Sequence, residues 1–105
     1  MTIPVVVTFH GVSPSAALHA EVVGRASGLD LIEPRVVGCN VMIESIWLPG
    51  SDRERFCVNA RLLGPDPDLD DASPLREVCS HQDPFAAVNR TFDALQRKIE
   101  GPRES

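Results

Sequence analysis

The chain has 105 residues, 43% of them hydrophobic and 24% charged, and its formal net charge is −5 at pH 7. These values are ordinary for one globular domain, and no run approaches the roughly 20 apolar residues that cross a bilayer. The N-terminus has no basic residue ahead of its apolar run, which argues against a secretory signal. We therefore expect a single domain, residues 1–105, in the cytoplasm and without a membrane partner.

Excess negative charge argues against nucleic-acid binding, because phosphate contacts depend on basic residues. The charge is uneven, however, since one segment holds Asp66, Asp68, Asp70 and Asp71. Without these four, 11 acidic residues face 10 basic ones. The net charge is therefore a weak guide to the partner.

The N-terminal third predicts a strand followed by a helix. Residues 3–9 are β-branched and aromatic, a composition typical of strands. Ser13 and Pro14 then supply a helix cap and a first helical residue, and Ser27-Gly28 is typical of a helix end. We expect a helix to about Ala26, with an inward stripe of Leu18, Val22 and Ala26.

Two consecutive strands are predicted next, over residues 35–48 and 53–63, joined by a turn at 49–52. In both, side chains alternate between two faces. In the earlier strand both sets are partly apolar, as expected of a strand with neighbours on each side: one is Val37, Cys39, Val41 and Ile43, and the other is Val36, Asn40, Met42, Glu44 and Ile46. In the later strand the core-facing set is Phe56, Val58, Ala60 and Leu62. The water-facing set of the later strand is Arg53, Arg55, Cys57, Asn59 and Arg61.

A charged loop over residues 64–73 precedes a short strand at 75–80 and a final helix. Asp83 and Pro84 open that helix, and Gly101-Pro102 ends it. Its apolar residues recur at spacings of three and four, at Phe85, Val88, Phe92, Leu95 and Ile99. The order is βαβββα, which predicts an α+β fold with a four-stranded sheet.

Nothing in the chain predicts catalysis, a cofactor, a metal or a small-molecule substrate. Cys39, Cys57 and Cys79 are odd in number and too far apart for a zinc motif, so we interpret them as free thiols. The three histidines have no nucleophile or carboxylate at useful spacing. The aspartates of the loop lack the Gly and distal Glu of a calcium loop. We expect a non-enzymatic protein.

Basic residues form two groups. Arg90 and Arg97 are seven residues apart and share the outer face of the last helix, with Lys98 toward one side. Arg53, Arg55 and Arg61 line the water-facing side of a strand. Asp93 offers a structural alternative, because its spacing suits intrahelical ion pairs with Arg90 and Arg97. No aromatic side chains lie among these basic residues to stack on bases. If the protein binds nucleic acid, we therefore expect it to contact the phosphates or to recognise the shape of the molecule.

The element order and the opening of the last helix resemble one known family. The segment Asp83-Pro84-Phe85-Ala86-Ala87-Val88-Asn89, followed by Leu95-Gln96-Arg97-Lys98, is similar to the last helix of ribosome hibernation-promoting factors and ribosome-associated inhibitors. This family includes sigma-54 modulation proteins and ribosomal subunit interface proteins. The start at Ser13-Pro14-Ser15-Ala16-Ala17-Leu18 also fits, and the resemblance spans nearly the whole chain, in the short form of the family.

The resemblance implies two helices on one face of the sheet, as in a double-stranded-RNA-binding domain. It also implies a translation regulator that binds the small ribosomal subunit and its rRNA, and holds ribosomes inactive under stress or in stationary phase. Arg90, Arg97 and Lys98 match basic positions of the family, whereas the first helix offers only Arg25.

Two further interpretations stay open. The chain is alternatively a diverged domain of the same fold that binds a protein without ribosome binding. The free side of the sheet is either wet or pairs weakly with a second copy, and Trp47, near a turn, is a candidate contact for such a homodimer.

Overall fold

The computed structural model describes residues 4–32, 36–47, 49–50, 53–64 and 75–100. The elements follow the predicted order: β1 (Val5–His10), α1 (Ala16–Ile32), β2 (Gly38–Trp47), β3 (Glu54–Leu63), β4 (Leu75–His81) and α2 (Pro84–Glu100). The predicted α+β class and βαβββα order are confirmed. Three predicted features lie outside the described residues: the acidic segment with Asp66, Asp68, Asp70 and Asp71, residues 51–52 of the predicted turn, and the end of α2 at Gly101-Pro102.

The strands form one sheet in the order β1-β2-β3-β4. β1 and β2 are parallel, which requires a crossover connection, and α1 supplies it. The other two pairings are antiparallel. α2 packs on β3 and β4, while α1 packs beside α2 and against β1. Both helices therefore cover one face of the sheet, as expected, and the opposite surface is called the open face below.

The core lies between α2 and the two central strands. Val88, Phe92 and Leu95 of α2 are fully buried, and so are Val58 and Ala60 of β3. The stripe predicted for this helix is therefore the core face from Val88 onward, with Ile99 partly buried against it, but the prediction is wrong for Phe85, which is 38% exposed in the first turn. Burial of apolar side chains at about 25 cal/mol per Å² is the main stabilising term of such a layer.

Thr91 is a buried polar residue where α2 crosses the sheet. Its hydroxyl donates to the carbonyl of Ala87 at 2.7 Å. This bond satisfies the polar group, so its burial carries little penalty. A small side chain at this position also lets the helix approach the strand closely.

The start of α1 differs from the prediction. The helix begins at Ala16, two residues beyond the expected first helical residue Pro14. Ser15, rather than Ser13, is the cap, because its hydroxyl oxygen accepts a hydrogen bond from the Leu18 amide at 3.2 Å. The start of α2 matches the prediction: the Asp83 carboxylate accepts from the Phe85 amide at 2.9 Å.

The predicted end of α1 near Ala26 is wrong, because the helix continues to Ile32. Gly28 lies inside it, at a cost of about 1 kcal/mol relative to alanine. Leu29 compensates, because it extends the buried stripe of Leu18, Val22 and Ala26 by another turn and is only 2% exposed. Core burial therefore overrides the local stop signal.

β2 begins at Gly38, later than the predicted residue 35. Val37 precedes the strand and is 46% exposed, whereas Val36 is buried. At Gly38 an added Cβ would lie 3.3 Å from the Leu63 side chain. Of the two alternating sets, the one with Cys39, Val41 and Ile43 points into the core. The turn after β2 uses Gly50 at φ 81°, a conformation that favours glycine.

The stability of the fold is expected to depend on Phe92. Replacement by alanine removes a fully buried ring from the helix–sheet interface and should lower the free energy of unfolding by about 3 to 5 kcal/mol. Phe85→Ala is a matched control on the same helix, because Phe85 is 38% exposed and should cost at most about 1.5 kcal/mol. Urea unfolding measures both values. Equal losses in the two variants would contradict this description of the core.

Candidate functional site

The outer surface of α2 presents Arg90 and Arg97, both exposed as the helical spacing predicted. They lie between the side of the helix that faces α1 and the side that faces β4. Within the described residues, Arg90 forms no ion pair. The side-chain Nε of Arg97 donates to the backbone carbonyl of Asp93 at 3.4 Å. Both guanidinium groups keep donors for an external anion.

Asp93 does not act as the predicted intrahelical partner of these arginines. Its carboxylate pairs with Arg25 of α1, with 2.6 Å between Nη2 and Oδ1. The other terminal nitrogen of Arg25 donates to the Asn89 side chain at 2.6 Å, and its guanidinium lies 6.0 Å from the centre of the Phe92 ring. These contacts join the two helices and neutralise the basic residue that the sequence places on α1.

Asn89 extends this contact. Its side-chain amide donates to Glu21 at 3.0 Å and to the carbonyl of Phe85 at 2.9 Å. The surface between the helices therefore holds Arg25 together with two carboxylates, Glu21 and Asp93. Such a surface carries no positive excess to attract phosphate.

Lys98 lies on the β4 side of α2. Its ammonium group donates to the backbone carbonyl of Arg76 at 3.2 Å and to the Glu77 carboxylate at 3.3 Å. Lys98 is therefore partly neutralised. It nevertheless places a charge beside the backbone of β4.

The open face carries the strand arginines. Arg55 and Arg61 alternate with Phe56 and Leu62, which face the helices, so both project from the opposite surface. Arg55 is half-buried and its guanidinium donates to the Ser80 carbonyl at 3.4 Å. Arg61 is exposed, as is Arg53 just before the strand.

The six basic residues chosen from the sequence thus occupy two surfaces. Arg90, Arg97 and Lys98 lie on the helix layer, and the other three lie on or beside the open face. The fold does not bring them together into one patch. Their role as binding residues stays a prediction.

Sequence analysis missed Arg76. Register places it directly opposite Arg61, and both are exposed on the open face. Directly opposed like charges weaken a strand pair by a fraction of 1 kcal/mol, and no ion pair offsets this one within the described residues. Strand alternation in the sequence indicates which face of β4 carries Arg76. It does not indicate that Arg76 lies opposite Arg61, because that depends on the register between β3 and β4.

Apolar side chains occupy the middle of the open face. Val6, Met42 and Val78 are 56%, 43% and 48% exposed. Met42 lies beside Thr8 of β1 on one side and Asn59 of β3 on the other, with Val78 next in the row. Trp47, at the end of β2, is 61% exposed. It alternates in phase with Val41 and Ile43, so it projects to the helix side of the sheet and does not belong to the open face.

The cysteines and acidic residues form no reactive centre in the described part of the chain. No group of three His, Cys, Asp or Glu side chains there is placed to hold a metal ion. Burial raises the pKa of the Cys39 thiol to about 11. Burial, and then the charges of Glu44 and Cys79, raise the pKa of Cys57. Raised values leave these thiols protonated and poorly nucleophilic at neutral pH.

No protein-family model matches the chain, and no curated protein matches it in sequence. The solved structures that match it in fold include two that do so over nearly their whole length. One is a ribosomal subunit interface protein from Coxiella burnetii, with a TM-score of 0.70 and 16% identity over 93% of this chain and 94% of that one. The other is the N-terminal domain of Protein Y from Thermus thermophilus, with a TM-score of 0.61 and 18% identity over 95% and 97%.

The chain has the fold of a ribosomal subunit interface protein. The resemblance seen in the sequence is confirmed at this level, including the two helices on one face of the four-stranded sheet. Identities of 16% and 18% establish the fold alone. In the described residues, no helix is both long and apolar enough to cross a membrane.

The raised pKa of Cys39 predicts an alkaline loss of stability. The unfolded thiol loses its proton near pH 9.0, whereas the folded one keeps it until about pH 11. The folded state binds more protons in this window, so the free energy of unfolding falls as the pH rises. Two pKa units correspond to a loss of about 2 to 3 kcal/mol.

Urea unfolding at pH 8.5 and pH 11 measures this loss, and the chain has no tyrosine to titrate in the same window. Cys39→Ala is the control: it should be less stable at both pH values but should lose much less between them. The prediction fails if the variant and the original protein lose the same amount.

Proposed function

We propose that this chain is a ribosome-associated translation regulator that binds the small ribosomal subunit and holds ribosomes inactive under stress or in stationary phase. It acts as a non-enzymatic, cytoplasmic factor. The observation that carries the proposal is the match in fold, over more than nine-tenths of each chain, to two solved proteins, one of which is named for the ribosomal subunit interface.

The contacts proposed are to rRNA phosphates. Arg90 and Arg97 are the leading candidates, because both are exposed on one outer face of α2. Lys98 adds a charge beside them, and Arg53, Arg55 and Arg61 are secondary contacts on or beside the open face. Guanidinium groups suit phosphate because their fork of donors binds two oxygens at once.

The main test of this proposal is sedimentation with ribosomes from the organism that makes the protein. At low salt the protein should travel with the small subunit in a sucrose gradient loaded with stationary-phase ribosomes. Log affinity should fall linearly with log salt, with a slope of about 0.7 to 0.9 per phosphate contact. A protein that stays at the top of the gradient at low salt would overturn the proposal.

Arg90→Gln combined with Arg97→Gln should reduce the magnitude of that slope by about 1.4 to 1.8, because two phosphate contacts are lost. Both side chains are exposed, so the melting temperature should not change appreciably. A control adds Asp66→Asn and Asp68→Asn, which restores the original net charge of −5. Recovery of full binding in this control would show that net charge, rather than contact by α2, determines affinity.

A protein-binding module without ribosome binding is the second candidate. Neutralisation of Arg25 by Asp93 favours it, and so do the exposed side chains of Val6, Met42 and Val78 on the open face. A weak homodimer through that face is one form of this candidate. A pull-down that returns one stoichiometric non-ribosomal protein would support it, whereas rRNA and ribosomal proteins in the pellet would rule against it.

A further inference from the structure

The edge of the sheet at β4 connects the two groups of basic residues. Among the described strands, β4 lies at the end of the sheet and pairs with β3 alone. Arg76 projects from its open face, and the Lys98 ammonium reaches its backbone from the helix side, 3.2 Å from the Arg76 carbonyl oxygen. We call Arg61, Arg76 and Lys98 the β4 rim.

The open-face half of the β4 rim lacks a counter-charge among the described residues. Arg61 and Arg76 face each other directly across β3 and β4. Glu44, an acidic residue of the open face, pairs with His10 at 3.7 Å. It lies four residues along β2 from Asn40, the β2 partner of Arg61, a distance of about 13 Å. Glu77 points to the helix side and contacts Lys98.

Protection of an exposed edge strand is a structural alternative for charged side chains at this position. That role is served by charges of either sign, and best by opposite charges on neighbouring strands, which also stabilise the pair. Two arginines opposite each other also protect the edge, but the repulsion between their guanidinium groups destabilises the strand pair. The repulsion is relieved when an anion lies between them.

From this geometry we infer that the β4 rim is a binding site for the phosphodiester backbone of RNA, wrapping from the open face around the sheet edge to α2. The inference rests on the proposed function in taking ribosomal RNA as the partner. Arg61 and Arg76 supply two guanidinium forks on one surface, and Lys98 supplies charge on the other. Such groups recognise phosphate geometry.

Contact to the backbone fits this surface better than contact to the bases. The row that contains Arg61 and Arg76 continues to Asn40 and Val6, so it offers no aromatic ring on which a base stacks. The site is therefore expected to bind RNA through phosphate and shape, with little dependence on sequence.

The test compares the original protein with Arg61→Gln/Arg76→Gln, using two probes: purified small ribosomal subunits and a fluorescent 20-base-pair RNA duplex. For both probes, the variant should bind about tenfold or more weakly at low salt, and the magnitude of its salt slope should fall by about 1.4 to 1.8. The melting temperature should stay equal or rise, because the substitution removes like-charge repulsion. A purely structural role for these arginines would lower it.

Two control variants separate the site from general charge. Glu44→Gln and Glu54→Gln, added to the double variant, restore the original net charge of −5 with changes on β2 and at the far end of β3. The weakened binding should persist in this compensated protein. Arg61→Lys/Arg76→Lys keeps both charges and should retain most of the salt slope with a smaller loss of affinity.

The outcomes distinguish this inference from the proposed function. Unchanged affinity and slope for the double variant on subunits that the original protein binds would overturn the β4 rim and leave the function standing. If the protein binds the RNA duplex through the β4 rim but does not bind subunits, the β4 rim stands and the proposed function is overturned. Binding to neither probe overturns both. Equally tight, rim-dependent binding of poly-glutamate would reassign the rim to an acidic protein partner and overturn the choice of RNA.

Discussion

The packing of α2 against β3 determines on which surfaces the arginines of these two elements lie. Val88, Phe92 and Leu95 bury one face of the helix, and Val58 and Ala60 are buried on the sheet beneath it. Because side chains alternate along a strand, this contact forces Arg55 and Arg61 to the opposite surface. Because a helix turns every 3.6 residues, it also directs Arg90 and Arg97 outward.

The distribution of charge then follows from contacts between elements. The pair formed by Arg25 and Asp93 removes positive charge from the groove between the helices. The ammonium group of Lys98 lies beside β4, next to Arg76. Among the described residues, basic side chains are thereby concentrated on the β4 side rather than shared by both helices, although the whole chain is acidic. A local surface of this kind is compatible with a net charge of −5 because phosphate contacts act over about a Debye length.

The same arrangement bears on the choice between RNA and protein as the partner. The middle of the open face is uncharged, with Met42 and Val78 exposed, and the charged groups lie at its margins. A protein partner would use the apolar centre, whereas RNA would use the β4 rim. The two partners therefore occupy different parts of the surface, and substitutions can separate them.

The sequence alone determined the order of elements, the α+β class and most of the core, because strand alternation and the helical stripe of Phe92 and Leu95 are local patterns. It placed the end of α1 near Ala26, since Gly28 is a local stop signal, whereas burial of Leu29 in the assembled core extends the helix. The partners of Asp93 and the position of Arg76 opposite Arg61 came only from the tertiary structure. Helix–helix packing and strand register join residues far apart in the chain, and no local pattern encodes those distances.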